Sequence, residues 1–430
     1  MRHLPARSAV AAPLGLAVAA ASRRLGRGSG SVIGGRVTLA LDPGALRQLA
    51  GGHALGLVSG TNGKTTTTRL LASALATAGP VVSNQTGSNL PAGLVAALAQ
   101  APAGAAGALE VDEAWLGHVV EEVSPVAVAL LNLSRDQLDR VSEVRSLGAR
   151  WRAAVAGRPR LRVVANCDDP IVAWAASAAS QVTWVAAGQA WRLDAGGCPA
   201  CEARIRFEGE DWSCPSCGLA RPRPEAWLEG ESLALAGGGR IGFRLGLPGR
   251  FNRANAAMAA VLAAAMGVEL DKALEAMATV GDVEGRYQVL TLAGPRPLRA
   301  RLLLAKNPAG WSELLDLVSP PPAPVVLAIN ARVADGRDPS WLWDVPFERL
   351  AGRPAVATGE RRRDLAVRLR YADVCHQVVE DLVEAVRRAG AEGTSAGSPD
   401  DGGASATVDV IANYTAFQDL RAALLARGAR

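Results

Sequence analysis

Residues 56–71, GLVSGTNGKTTTTRLL, run an apolar segment into Gly60 and out through Lys64 into a helical stretch. Glycines let backbone N–H groups close around phosphate oxygens, a lysine neutralises the terminal phosphates, and the hydroxyl that follows it reaches magnesium. Gly60, Thr61, Asn62, Gly63, Lys64, Thr65 and Thr66 are therefore expected to hold ATP with Mg2+. The strict phosphate-loop pattern wants a glycine where Val58 stands, so the chemistry matches better than the pattern does. Lys64 also stands out by scarcity, because Lys272 and Lys306 are the only other lysines.

Cys198-Pro-Ala-Cys201 and Cys214-Pro-Ser-Cys217 present two pairs of thiols whose spacing suits one tetrahedral Zn2+ ion. Four thiolates leave no open position, so this zinc is expected to be structural and not catalytic. Zinc ribbons can bind nucleic acid, but few arginines and no aromatic platform beyond Trp212 accompany this one. A stabilising or docking module is expected, with no nucleic-acid partner. Cys167 and Cys375 are expected to be ordinary buried thiols. In 329–345, INARVADGRDPSWLWDV, the carboxylates Asp335, Asp338 and Asp344 surround a glycine-containing turn, a place from which acids face a partner or a substrate.

The elements that must position these groups alternate in type. Strand-like runs at 53–59, 106–111, 127–132 and 161–166 alternate with helical runs at 65–78, 91–99 and 147–156, the pattern of an α/β domain on a mostly parallel sheet. A cysteine- and proline-rich module interrupts them over about 190–225, and a second, smaller α/β unit carries apolar runs at 301–305, 325–329, 355–357 and 408–411. The expected domains are 1–285 and 286–430. GRGSGSVIGG (26–35) is expected to be a glycine-rich turn and GTSAGSPDDGGASA (393–406) a flexible loop.

The chain's 430 residues, 49% hydrophobic and 20% charged, exclude a disordered protein and leave room for two or three domains. Its net charge of +5 comes from arginines interspersed with acids, which argues for a mixed solvated surface. No run approaches the ~20 apolar residues of a membrane span. Residues 8–21, flanked by Arg7, Arg23 and Arg24, have the outline of a short signal peptide. An ATP site calls instead for the cytoplasm, and an amphipathic first helix near the inner face of the plasma membrane is expected.

GTNGKTT is similar to the loop of the Mur ligase family, and further segments resemble that family in the same order. SNQTGSNLP resembles the loop that meets the γ-phosphate and magnesium, implying roles for Asn84 and Thr86, with Gly87 and Asn89 beside them. Glu110 ends a predicted strand in ALEVDEA, where a carboxylate reaches a metal, and it is the expected magnesium ligand. Asp112 and Glu113 are expected at an exposed helix start. NLSRDQLDR resembles a family segment, with Gln137 in place of the usual histidine. NCDDP, with Asn166, Asp168 and Asp169, is similar to the family's turn at the nucleotide. LPGRFNRANAAMAA is similar to the helix whose asparagine, here Asn255, would face adenine. LLLAKNPAGW resembles the segment that meets ATP from the second domain, implying contacts from Lys306 and Asn307.

The inserted cysteine ribbon, KNPAG and DGRDPSWLWD narrow the resemblance to the MurT family of Mur-ligase-like subunits in lipid II isoglutaminyl synthase, over nearly the whole chain. That resemblance implies ATP-dependent conversion of the D-glutamate α-carboxylate of the lipid II stem peptide to D-isoglutamine, through an acyl phosphate. Ammonia would come from a GatD-type glutaminase partner, whose catalytic histidine Asp338 would orient, with Asp335 and then Asp344 as alternatives. Lys64, Glu110 and Asp338 are thus the expected catalytic residues. Ordinary Mur ligases carry an N-terminal nucleotide-sugar domain of roughly 100 residues or more. With the phosphate loop at Gly60 there is no room for it here, which is compatible with a lipid-linked substrate. Neither Cys167 nor Cys375 sits in a glutaminase elbow. The alternatives are a stand-alone Mur-like amino-acid ligase and a zinc-ribbon nucleic-acid-binding or scaffold protein.

Overall fold

The structure is a computed structural model that describes all residues except 1–4, 26–29, 85–87, 136–143, 190, 282–286, 294–296 and 397–405. The chain divides into two compact units, Met1–Ser134 with Ser142–Gly281, and Arg135–Val141 with Asp282–Arg430.

The first unit begins with helices α1 (Ala6–Arg24), α2 (Ser31–Leu41) and α3 (Ala45–Ala50). The turn expected over 26–35 gives way to helix from Ser31, because Gly34 and Gly35 serve close packing. A Cβ at Gly34 would stand 2.5 Å from the carbonyl oxygen of Gly15 in α1. At Gly35 it would stand 1.8 Å from that of Ala92. Nor is α1 amphipathic: its inward residues are Ala11, Ala12, Gly15 and Ala19, while Val10 and Leu14 face solvent.

The expected alternation follows. It runs β1 (Leu55–Ser59), α4 (Lys64–Leu75), β2 (Val81–Ser83), α5 (Pro91–Leu98), β3 (Ala106–Glu110) and α6 (Leu116–Val123). It continues with β4 (Ala127–Leu130), α7 (Val144–Val155), β5 (Arg162–Asn166), α8 (Pro170–Ala176) and β6 (Gln181–Ala186). Every residue of β1 and β4 is buried, as in a parallel sheet covered on both faces. Leu57, Leu109, Val128 and Val163 from the sheet share a core with Leu94, Leu116, Trp151 and Val172 from the helices.

A hairpin of β7 (Arg206–Glu208) and β8 (Asp211–Ser213) forms its own small sheet. Strands β9 (Ala226–Glu229), β10 (Ser232–Leu235) and β11 (Arg240–Gly242) then extend the main sheet to the order β11-β10-β9-β6-β5-β4-β1-β3-β2. Helices α9 (Arg250–Ala265) and α10 (Leu270–Ala278) complete the unit. Parallel register pairs Val58 with Glu110 and Ser59 with Leu130, so the residues after β1, β3 and β4 emerge at one carboxyl edge. Open α/β sheets bind ligands at that edge.

The second unit holds β12 (Tyr287–Leu292), β13 (Leu298–Leu304), α11 (Pro308–Leu315), β14 (Val325–Ala328), β15 (Ala355–Thr358) and α12 (Arg362–Tyr371). It ends with β16 (His376–Val378), α13 (Leu382–Ala396), β17 (Ala406–Ala412) and α14 (Tyr414–Ala426). Its sheet has the order β12-β13-β17-β14-β15-β16, parallel except between β12 and β13. Helix and strand take both ends of the segment expected as a loop over 393–406; 397–405 lie outside the described residues. The α/β class, the parallel-rich sheet, the four-cysteine cluster and the C-terminal α/β unit are as the sequence implies.

Candidate functional site

The loop between β1 and α4 is braced from behind. Thr61 N donates to Asn132 O at 2.9 Å, and Asn62 N donates to Asn132 Oδ1 at 2.9 Å. The Thr61 hydroxyl donates to Ser134 O and accepts from Ser134 N. Gly63 has φ 84°, a left-handed conformation that suits glycine, and a Cβ there would stand 2.5 Å from Asn255 Oδ1. Asn255 of α9 thus lies against the flank of this loop. The first turn of α4 offers N–H groups with no acceptor inside the helix, and the helix dipole favours an anion there.

Lys64 is buried, with its ammonium donating to Gly60 O, to Thr61 O at 3.2 Å and to Glu113 Oε2 at 2.8 Å. Glu113 was expected at an exposed helix start. It is instead buried against the lysine, and its carbonyl oxygen accepts from the Trp151 indole N–H at 2.9 Å. The parallel pairing of β1 with β3 explains this, since it sets the residues after Glu110 beside those after Ser59.

Glu110 is 2% exposed at the end of β3. Asn84 holds its backbone on both sides, accepting from Glu110 N and donating to Glu110 O, each at 2.8 Å. Asn89 Nδ2 donates to Glu110 Oε1 at 3.2 Å. The other carboxylate oxygen, Oε2, is buried with no hydrogen-bond partner among the described residues, as is the Thr65 hydroxyl. A buried carboxylate oxygen left in that state calls for a cation, and oxygen donors of this kind fit magnesium. Thr66 is buried in α4, while Thr86, Gly87 and Gln137 lie outside the described residues.

The 166–169 turn joins this edge to the cysteine module. Asp169 caps α8, its Oδ1 accepting from Ile171 N and Val172 N, while Oδ2 accepts from Leu133 N at 2.9 Å. Burial pushes its carboxyl up to about 6 against the pull of those N–H groups. Burial, and then the Asp168 carboxylate, push the Cys167 thiol up to about 12, so it stays neutral and inert. Cys375 departs from expectation: it is exposed, immediately before the edge strand β16.

Cys198, Cys201, Cys214 and Cys217 bring their sulfurs within 4.8 Å of one another. Cys198 and Cys217 are 3.6 Å apart, and Cys201 and Cys214 are 3.5 Å apart. Tetrahedral sulfurs about 2.3 Å from a zinc ion stand ~3.8 Å apart, so the four thiols fit Zn2+ closely. Two knuckles shape the site: Cys198 N donates to Ala203 O and Cys214 N to Leu219 O, both at 2.7 Å.

The module is tied to the neighbouring turn by side chains that sequence reasoning did not single out for this role. The Trp212 indole N–H donates to Cys167 O at 3.0 Å, and Arg221 Nε donates to Asp168 Oδ1 at 2.7 Å. Arg221→Ala strips a buried aspartate of its cation, a loss of about 3 kcal/mol. The expected outcome is a melting temperature lower by roughly 6–12 °C for a unit of this size. If the four cysteines hold zinc, a chelator is expected to lower the same transition in the parent protein, and calorimetry checks both.

In the second unit, Asn307 is fully buried and its side-chain oxygen caps α11, accepting from Gly310 N at 2.9 Å. That oxygen is engaged by its own helix, and the neighbouring Lys306 is half-buried. The three aspartates of the 329–345 segment separate sharply. Asp335 is 2% exposed and accepts from Thr415 N at 2.8 Å, from the Thr415 hydroxyl and from Arg332 N. Asp344 pairs with Arg135 at 3.4 Å. Asp338 is exposed and makes one local bond, accepting from Ser340 N at 2.8 Å. The same segment exposes Val333 and Trp343, the latter edge-on to exposed Tyr371, while Trp341 packs inward against Trp311.

Residues 58–211 match the Mur ligase middle domain family, and residues 304–417 match the MurT ligase C-terminal family. The lipid II isoglutaminyl synthase (glutamine-hydrolyzing) subunit MurT of Streptococcus pneumoniae is 28% identical over 378 residues, 81% of this chain and 83% of that protein. The subunit of the same name from Staphylococcus aureus is 27% identical over 379 residues, 82% and 85% of the two chains. Among solved structures, a MurF ligase from Thermotoga maritima in complex with ADP shares the fold with a TM-score of 0.57, at 13% identity over 90% of this chain and 84% of that one.

Proposed function

From the premise that this chain belongs to the MurT type of Mur-ligase-like protein and is a ligase, we propose that it is the synthetase subunit of a glutamine-dependent amidating enzyme of peptidoglycan synthesis. Its substrate is the lipid II stem peptide, met at the inner face of the plasma membrane. The γ-phosphoryl group of ATP passes to an oxygen of the D-glutamate α-carboxylate, leaving ADP and an acyl phosphate. Ammonia then attacks the acyl carbon, phosphate departs, and the loss of a proton leaves D-isoglutamine.

What carries this conclusion is Lys64, a buried cation at the mouth of a glycine loop and at the start of a helix. A triphosphate arriving there meets the lysine, the N–H groups of α4 and an environment in which charge is poorly screened. Glu113 holds the ammonium at the loop beforehand, so little reorganisation is needed when phosphate oxygens become its partners. Magnesium, held by Glu110 and Thr65, would neutralise the phosphates and polarise the transferred group. A zinc ion held by the four cysteines would have no open coordination position and would take no part in the chemistry.

Ammonia is supplied by a partner subunit of the GatD glutaminase type. Support for this comes from Asp338, a carboxylate exposed on a segment that also exposes Val333 and Trp343, as a docking face does.

The test is direct. The purified chain, given ATP, Mg2+ and lipid II, is expected to amidate with ammonium chloride and to be inactive with glutamine alone, as read by mass spectrometry of the muropeptide. Adding the glutaminase subunit is expected to confer glutamine use. Amidation from glutamine by the chain alone, or formation of a peptide bond to an added amino acid, would overturn the assignment.

A further inference from the structure

Helix α1 is built inside out. Its inward face carries Ala11, Ala12, Gly15 and Ala19, packed tightly on α2, where a Cβ at Gly15 would stand 2.0 Å from the Thr38 hydroxyl. Its larger apolar side chains point the other way, with Val10 60% and Leu14 47% exposed. Between Arg7 and Arg23 every exposed residue is apolar: Ala9, Val10, Pro13, Leu14, Ala17 and Ala21. At 100° per residue these positions fall on one continuous face of a helix about 28 Å long. The tip of the hairpin continues the pattern, with Leu25 on one side and Val32 and Ile33 on the other exposed.

Water-facing helices present polar groups, and a protein partner usually finds hydrogen-bonding groups around an apolar centre. This face offers none between its arginines. Charge selects the remaining occupant. Residues 1–44, through the hairpin, hold six arginines against a single acid, Asp42. That acid is buried and accepts from the Ser8 hydroxyl and from Gly44 N. Exposed Arg7, Arg23 and Arg24 stand at the two ends of the apolar face. No helix among the described residues is long and apolar enough to cross a membrane.

We propose that the α1–α2 hairpin is a membrane-docking surface: α1 lies in the plane of an anionic bilayer, with Val10, Leu14 and the alanines among the upper acyl chains and the arginines at the phosphates. A helix with an apolar face and cationic flanks binds an anionic interface in this way, and its affinity scales with buried apolar area and with basic charge. The proposal rests on the hairpin's own geometry and charge and not on the amidation chemistry, although a lipid-linked substrate would be met at such a surface.

The test uses the full chain and vesicles that contain no substrate. Sedimentation with phosphatidylglycerol–phosphatidylcholine vesicles is expected to carry the protein down, and phosphatidylcholine alone to leave it in solution. Val10→Asp with Leu14→Asp is expected to cut the partition coefficient about tenfold or more, as is Arg7→Glu with Arg24→Glu, and raised salt is expected to weaken binding. Both pairs are exposed, so melting temperature and nucleotide binding are expected to stay at parental values, which separates docking from folding and from the reaction. Absence of binding to anionic vesicles, binding insensitive to the aspartate pair, or a parental dimer that the aspartate pair dissociates in sedimentation equilibrium would each overturn the proposal, the last by assigning the face to a second copy of the chain.

Discussion

Lys64→Ala is expected to reduce ATP-dependent amidation by about 10³-fold or more, the scale on which one preorganised charge at a developing anion acts. The same substitution strands Glu113, which pairs with this lysine at 2.8 Å. Leaving one member of a buried pair costs about 3–5 kcal/mol, so loss of activity in the single variant could reflect unfolding. The combination Lys64→Met with Glu113→Gln removes both charges at similar volume, and is expected to restore most of the melting temperature while leaving turnover at the level of the alanine variant. Nucleotide titration and muropeptide mass spectrometry on the double variant isolate the chemistry. Turnover near the parental rate in the folded double variant would mean that the loop before α4 does not hold the reacting phosphates.

Those expectations depend on a pairing that the linear sequence hides. GTNGKTT was legible because its parts are local: strand, glycine turn and helix start lie within a few residues, and each has its own residue preference. The cysteine cluster was legible for the same reason, since all four ligands fall between 198 and 217 and their spacing encodes the geometry. Glu113 was not legible. Its link to Lys64 exists because β1 lies beside β3 with Val58 opposite Glu110, and no local signal specifies that register. Asn255 shows the same limit, since its segment resembles a family helix but local sequence does not place it against the loop before α4. Its contact is with Gly63, a packing relation across about 190 residues that only the fold reveals.

Eight strands, β1, β3, β4, β5, β13, β14, β15 and β17, were anticipated within a few residues, because buried parallel strands leave continuous apolar runs. The first helices were harder to read. Alanine and glycine on the inward side, with valine and leucine outward, invert the pattern by which a helix face is recognised, and glycines that look like a turn at 34–35 are points of close approach between helices. Cys375 was misjudged on similar grounds, because edge-strand exposure depends on which strand is last in the sheet.

The aspartates of the 329–345 segment yield the second large effect. Sequence left three candidates for one role, and the folded chain assigns them different work. Asp335 is buried and ties the segment to the start of α14, 80 residues away, through Thr415. Asp335→Ala leaves the Thr415 amide and hydroxyl without that acceptor, and is expected to lower stability by about 1–3 kcal/mol and to reduce ammonia- and glutamine-driven amidation together. Asp338 is exposed and, among the described residues, accepts from Ser340 N alone, so Asp338→Asn is expected to leave the melting temperature and ammonia-driven amidation unchanged. Glutamine-driven amidation in the presence of the glutaminase subunit is expected to fall by about 10³–10⁴-fold, the penalty when a catalytic histidine loses the carboxylate that orients it. The two nitrogen sources, assayed side by side on each variant, decide the assignment. A drop in both activities for Asp338→Asn would make the residue structural, and no drop in either would return the partner-facing role to Asp344, whose pairing with Arg135 leaves it partly exposed.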